Sequence, residues 1–111
     1  MISRIWHCYT TKENADTYEK LLQSEIFVGI KNRNIHGYKG IQLFRRDLES
    51  ETEFITIMWF DSIESVIEFA GDDCDIAVVP EKAQKVLARF DKKSQHYNVL
   101  VNNYPQQGTN S

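Results

Sequence analysis

Three imidazoles, two thiols and one run of acids are the groups in this 111-residue chain best suited to chemistry near neutral pH. His7 and His96 lie in stretches rich in β-formers, each beside an aromatic residue, Trp6 and Tyr97 respectively. An imidazole in such a place can take a proton from a bound molecule or serve as a hydrogen-bonded strand residue, and the spacing leaves both readings open. His7 shares a strand parity with Ile5 and Tyr9, whereas His36 sits beside Gly37 in a loop and reads as solvated. The run Asp72-Asp73-Cys74-Asp75 gathers ligand-type side chains but lacks the glycine and terminal glutamate of a calcium loop, so it reads as charge at a helix start. Cys8 and Cys74 show no CxxC spacing and no adjacent histidine. They read as reduced structural thiols, and no metal or tightly held cofactor is expected.

Other chemistries are excluded by what the chain lacks. No Gly-x-Ser-x-Gly nucleophile motif and no Walker or dinucleotide loop occurs, and the five glycines are too scattered to cradle a phosphate. A formal net charge of -3 argues against a nucleic-acid partner, which would select a basic surface. No apolar run reaches the ~20 residues that span a bilayer and nothing resembles a signal peptide, so no membrane partner and a cytoplasmic location are expected. At 41% apolar and 26% charged, the composition is that of a single globular domain, placed at 1–101, with a polar tail over 102–111.

The elements that must position these groups repeat. A strand at Ile2–His7, a helix over 15–30 and a strand at Gly40–Phe44 form one half; a strand at Phe54–Trp59, a helix over 62–70 and a strand at His96–Val101 form the other. Asp61 followed three residues later by Glu64 has capping-box spacing, Gly71 is a plausible stop, and Pro80 opens a further short helix carrying Ala83, Val86, Leu87 and Phe90. The order β-α-β, β-α-β predicts an α+β, ferredoxin-like fold: an antiparallel four-stranded sheet with its helices on one face.

The central strands are apolar on both parities. Phe54, Met58 and Phe60 alternate with Ile55, Ile57 and Trp59, and Trp6 and Cys8 alternate with Ile5 and Tyr9. Two helices cover one face, and no segment remains for the other. A second copy of the sheet would cover it, which predicts a homodimer.

Taken together, the opening Met1-Ile2-x-Arg4-Ile5-Trp6, the Gly37-x-x-Gly40-Ile41-x-Leu43-x-Arg45-Arg46 segment, Glu53-Phe54-Ile55-x-Ile57-x-Trp59-x-x-Ser62, Glu68-Phe69-Ala70-Gly71 and His96-Tyr97 resemble the antibiotic biosynthesis monooxygenase family. The resemblance spans about residues 1–101 and all four strands. It implies a dimeric α+β barrel with a pocket between sheet and helices, in some members a site that oxygenates a small aromatic compound without metal, flavin or haem. It then implies roles. Trp6, Tyr9, Trp59 and Phe69 would supply aromatic walls, His7 or His96 the base, and Tyr97 a hydroxyl for the oxyanion. Arg4, on the parity of Trp6, reads as a stacked or ion-paired arginine or as a substrate contact. Haem-degrading relatives carry a first-strand asparagine, a helix tryptophan and an iron-binding histidine where this chain resembles them with Trp6, Phe69 and Val78-Val79, so haem chemistry is disfavoured. The competing reading is a non-catalytic dimeric barrel that binds a small molecule or serves in stress, its aromatics only packing.

Overall fold

The computed structural model describes residues 1–103; of the polar tail expected over 102–111, residues 104–111 lie outside that range. Strand β1 (Ile2–Thr11) leads to a helix built in three parts: α1 (Ala15–Leu21), a π-helical stretch (Leu22–Ile26) and α2 (Phe27–Asn32). Strands β2 (Tyr38–Asp47) and β3 (Glu51–Phe60) form a hairpin, followed by α3 (Ile63–Ala70), the single turn α4 (Glu81–Gln84), and the short strands β4 (Arg89–Phe90) and β5 (Gln95–Asn98). Every strand pairing is antiparallel, with β1 between β3 on one side and β4 and β5 on the other, and β2 outside β3. This is the ferredoxin-like α+β arrangement that the repeated half-unit predicts.

Alternation along β1 and β3 divides the side chains cleanly. Cys8, Phe54 and Phe60 are fully buried beneath the helices together with Tyr18 of α1 and Val66 of α3, forming two adjoining core clusters. Phe54 meets Tyr18 edge-on at 4.9 Å and Phe60 meets Phe69 at 5.9 Å, geometries that add to simple burial.

Four local expectations are corrected. The fourth strand at His96–Val101 is instead split: β4 and β5 both pair with β1, but five residue steps separate Phe90 from Gln95 against three between their partners Cys8 and Ile5. The surplus leaves the pairing as a bulge tied to the loop before α4, where Ala77 N–H donates to the Lys92 carbonyl and Ser94 N–H to the Asp75 carbonyl. The helix after Pro80 ends at Gln84, and Phe90 joins the sheet edge against Trp6 rather than extending it. No helix begins at Asp72–Asp75; the segment is a loop. The cap of α3 is Ser62, not Asp61, its hydroxyl accepting the Ser65 N–H, so the capping signal was displaced by one residue.

The loop into β2 depends on one glycine. Gly37 has φ +85°, its carbonyl accepts the Asp61 N–H at 2.8 Å, and a Cβ there would lie 2.1 Å from the Ser65 hydroxyl. That close approach fixes the start of α3 against the sheet. Among the described residues no helix is long and apolar enough to cross a membrane.

Candidate functional site

Between the helix-covered face and the helices lies a cavity with about 60 Å³ of space reachable by water, walled by Trp6, Met58, Phe69, Ile41, Val79 and Ala83 among others. Its long wall comes from Tyr18, Leu22, Ile26 and Ile30, each four residues after the last. In a regular α-helix every four-residue step overshoots a turn by ~40°, so three such steps would rotate the last side chain far from the first. The wider π-helical turn over Leu22–Ile26 absorbs part of that drift and keeps the row on the cavity. Inside it, the Ser24 hydroxyl donates to the Lys20 carbonyl at 2.7 Å, a side-chain bond back onto the preceding turn. The three consecutive four-residue steps were the sequence signal for this feature, where a single regular helix over 15–30 was expected.

Arg4 is the one ionisable residue with a formal charge among the described cavity walls, and it is only 3% exposed. One guanidinium nitrogen, Nη1, donates to the Cys74 carbonyl and stands 2.8 Å from His96 Nε2; Nη2 donates to the Ile76 carbonyl at 3.1 Å. The group also stacks over Phe69 with its centre 5.5 Å from the ring. Burial lowers the Arg4 pKa, partly offset by the nearby Cys74 and Asp75.

Because a guanidinium can only donate, His96 Nε2 must carry the lone pair, and Nδ1 then bears the proton and donates to Asp75 Oδ1 at 3.2 Å. His96 is thus a neutral, tautomer-fixed imidazole with both nitrogens engaged. Burial, and then the charge of Arg4, lowers its pKa, while Asp75 opposes the shift. This four-residue cluster escaped the sequence reading because Cys74 and Asp75 lie some twenty residues from His96 in the chain and about seventy from Arg4. The fold brings them together across the sheet edge.

Cys74, Asp75 and His96 offer ligand atoms within 4.8 Å of one another, close enough to share a cation. A cation held by Nδ1 would force the imidazole proton onto Nε2, where an Arg4 N–H already points, and would sit beside the guanidinium charge. The donor set and its neighbour are therefore in conflict, and no metal chemistry is built on this cluster.

The remaining candidate residues lie on the opposite face of the sheet. His7 Nδ1 and the Tyr9 hydroxyl approach the same Glu53 oxygen at 3.5 and 3.4 Å, and Arg46 pairs with the other at 2.6 Å. The hydrogen bond from Arg46, with His7 adding, lowers the Glu53 pKa. Arg89 covers the Tyr9 ring at 3.7 Å, Trp59 Nε1 donates to Gln42, and Tyr97 stands opposite Ser3. The structure thus brings Arg4, Trp6, Phe69 and His96 together and sets His7, Tyr9, Trp59 and Tyr97 apart from them, across the thickness of the sheet.

No family model and no curated protein matches this sequence. Among solved structures, the fold is similar to that of a Bacillus cereus protein crystallised as a candidate antibiotic biosynthesis monooxygenase, with a TM-score of 0.64, 8% identity, and coverage of 94% of this chain and 97% of that one. At that identity the likeness establishes the fold.

Proposed function

We propose that this protein is a cofactor-independent monooxygenase of the antibiotic biosynthesis type, working on a small hydrophobic compound held between sheet and helices. The observation that carries the reading is the apolar cavity walled in part by a buried Arg4, whose guanidinium reaches the imidazole of His96 behind that wall. In such a reaction a carbon-bound CH2 becomes C=O: one atom of O2 enters the product and the other leaves as water, with the substrate supplying all the electrons. The protein's tasks are to take a proton, stabilise the resulting oxyanion and keep bulk water out. Arg4 is positioned for the oxyanion, Trp6 and Phe69 for the walls. If Arg4 turns from His96 toward that oxyanion, Nε2 is released as the base.

The other face of the sheet supports a homodimer. Phe44 and Tyr97 are exposed, and Ile5, Ile55, Ile57 and Trp59 are half-buried around them. Pairs of both signs, Arg46 with Glu53 and Arg89 with Glu51, flank this apolar area, so a two-fold related copy can meet it without like charges opposed.

A second reading, a binding protein without catalysis, is favoured by the engagement of both His96 nitrogens and by a cavity of about 60 Å³, too small for a three-ring substrate unless its walls move. Oxygen uptake with an anthrone and with smaller ring compounds carrying an acidic CH2, in the presence of chelator, separates the two. Uptake that His96→Ala abolishes supports the enzyme; absent uptake, or uptake indifferent to that change, leaves the binding protein.

A further inference from the structure

We propose that the ligand of this cavity is a small carboxylate, its charge met by Arg4. The inference rests on the cavity being a ligand site and adds the chemical class of what enters it. Among the described residues no carboxylate lies within ion-pair distance of the Arg4 guanidinium, and no Asp or Glu lines the cavity. The nearby acid, Asp75, points its carboxylate to His96 and is mostly exposed. A guanidinium on a residue buried to 3% exposure, with no carboxylate at ion-pair distance, is held there at a cost that an incoming anion would relieve.

The free hydrogens match that anion. Of the five guanidinium N–H groups, two on Nη1 and one on Nη2 are directed at Cys74, His96 and Ile76, leaving the Nε hydrogen and one on Nη2 for a carboxylate. The Phe69 ring lies under the guanidinium, its centre 5.5 Å from Cζ, and Met58 and Val79 offer only apolar contact to the rest of the molecule. The cavity of about 60 Å³ is several times the ~10–15 Å³ needed to admit one water, which suits a compact molecule of a few heavy atoms such as a short-chain acid.

The two tryptophans provide the test, since Trp6 lines the cavity and Trp59 lies on the opposite face. Butyrate and butyramide, alike in shape and different in charge, are titrated into the protein while the two indole N–H resonances are followed by NMR, assigned through Trp6→Phe. Butyrate is expected to move the Trp6 resonance and not that of Trp59, and to bind roughly ten- to a hundredfold more tightly than butyramide, as expected for a charge-assisted hydrogen bond. Arg4→Met is expected to remove the difference, and Arg4→Lys to keep part of it. If butyramide binds as tightly as butyrate, the carboxylate assignment falls and the cavity remains a ligand site. If neither moves Trp6, both fall. The comparison in the unmutated protein decides even if the Arg4 variants do not fold.

Discussion

The two faces of one sheet are made from neighbouring residues of the same strands and have opposite fates. Phe60 is completely buried under α3, while Trp59, one position earlier, stands half-covered on the other side. On the helix side, the chain supplies its own cover and leaves a small apolar cavity with Arg4 as its buried cation. On the open side, apolar and charged residues alternate over an area the described chain does not roof. Candidate chemistry divides in the same way, with Arg4 and His96 on one side and His7, Tyr9 and Glu53 on the other. Being adjacent in sequence along a strand therefore separates functional groups, and a contact across the sheet edge joins distant ones.

The sharpest way to break this contrast is to truncate one residue on each face. Phe60→Ala should cost roughly 3–5 kcal/mol in urea denaturation, the range for removing a buried phenyl ring. Trp59→Ala, measured at a concentration low enough to dissociate any pair, should cost no more than about 1 kcal/mol. Equal losses would show that the open face is as firmly packed as the core. Next, Gly37→Ala should destabilise by roughly 1–3 kcal/mol, because it combines an unfavourable positive φ with a clash at Ser65. Replacing Ser65 by glycine as well should recover only the clash. If Gly37→Ala melts like the parent, α3 is not tied to the sheet as described.

A smaller effect on folding, but a decisive one on assembly, is expected from Ile57→Glu at the middle of the open face. Sedimentation at micromolar concentration should show twice the monomer mass for the parent and the monomer mass for the variant, both folded by circular dichroism. A parent that sediments as a monomer would end the dimer proposal.

The smallest expected effect is one of pH. The lowered His96 pKa means that the unfolded chain accepts the proton first as pH falls through the ordinary imidazole range. Its contribution to stability is complete above about pH 6.5 and is lost on acidification toward the lower folded value. His96→Gln should therefore flatten the fall in melting temperature between about pH 7 and 5. An unchanged slope would show that the contacts with Arg4 and Asp75 do not hold the imidazole neutral.

Much of the architecture was legible because period-two alternation in Phe54–Phe60 and the helical rows around Tyr18 and Val66 are local signals of burial. The π-helical stretch was legible only as an odd spacing of apolar residues. The split of the last strand was not, since its bulge answers to hydrogen bonds made with the loop at Asp75 and Ala77. For the candidate site, parity already placed Arg4 with Trp6 and His7 with Tyr9, but nothing in the chain announced that Arg4 would meet His96 or that Asp75 would orient it.

By itself, then, the sequence determined the order of strands and helices as far as α3 and the two-sided apolar character of the central strands, because both follow from interactions between residues a few positions apart. Only the tertiary structure decided which side each candidate group occupies relative to the cavity, how large that cavity is, and that a buried guanidinium locks the tautomer of His96. Those properties depend on strand register and loop docking, in which residues some seventy to ninety positions apart become hydrogen-bonded neighbours.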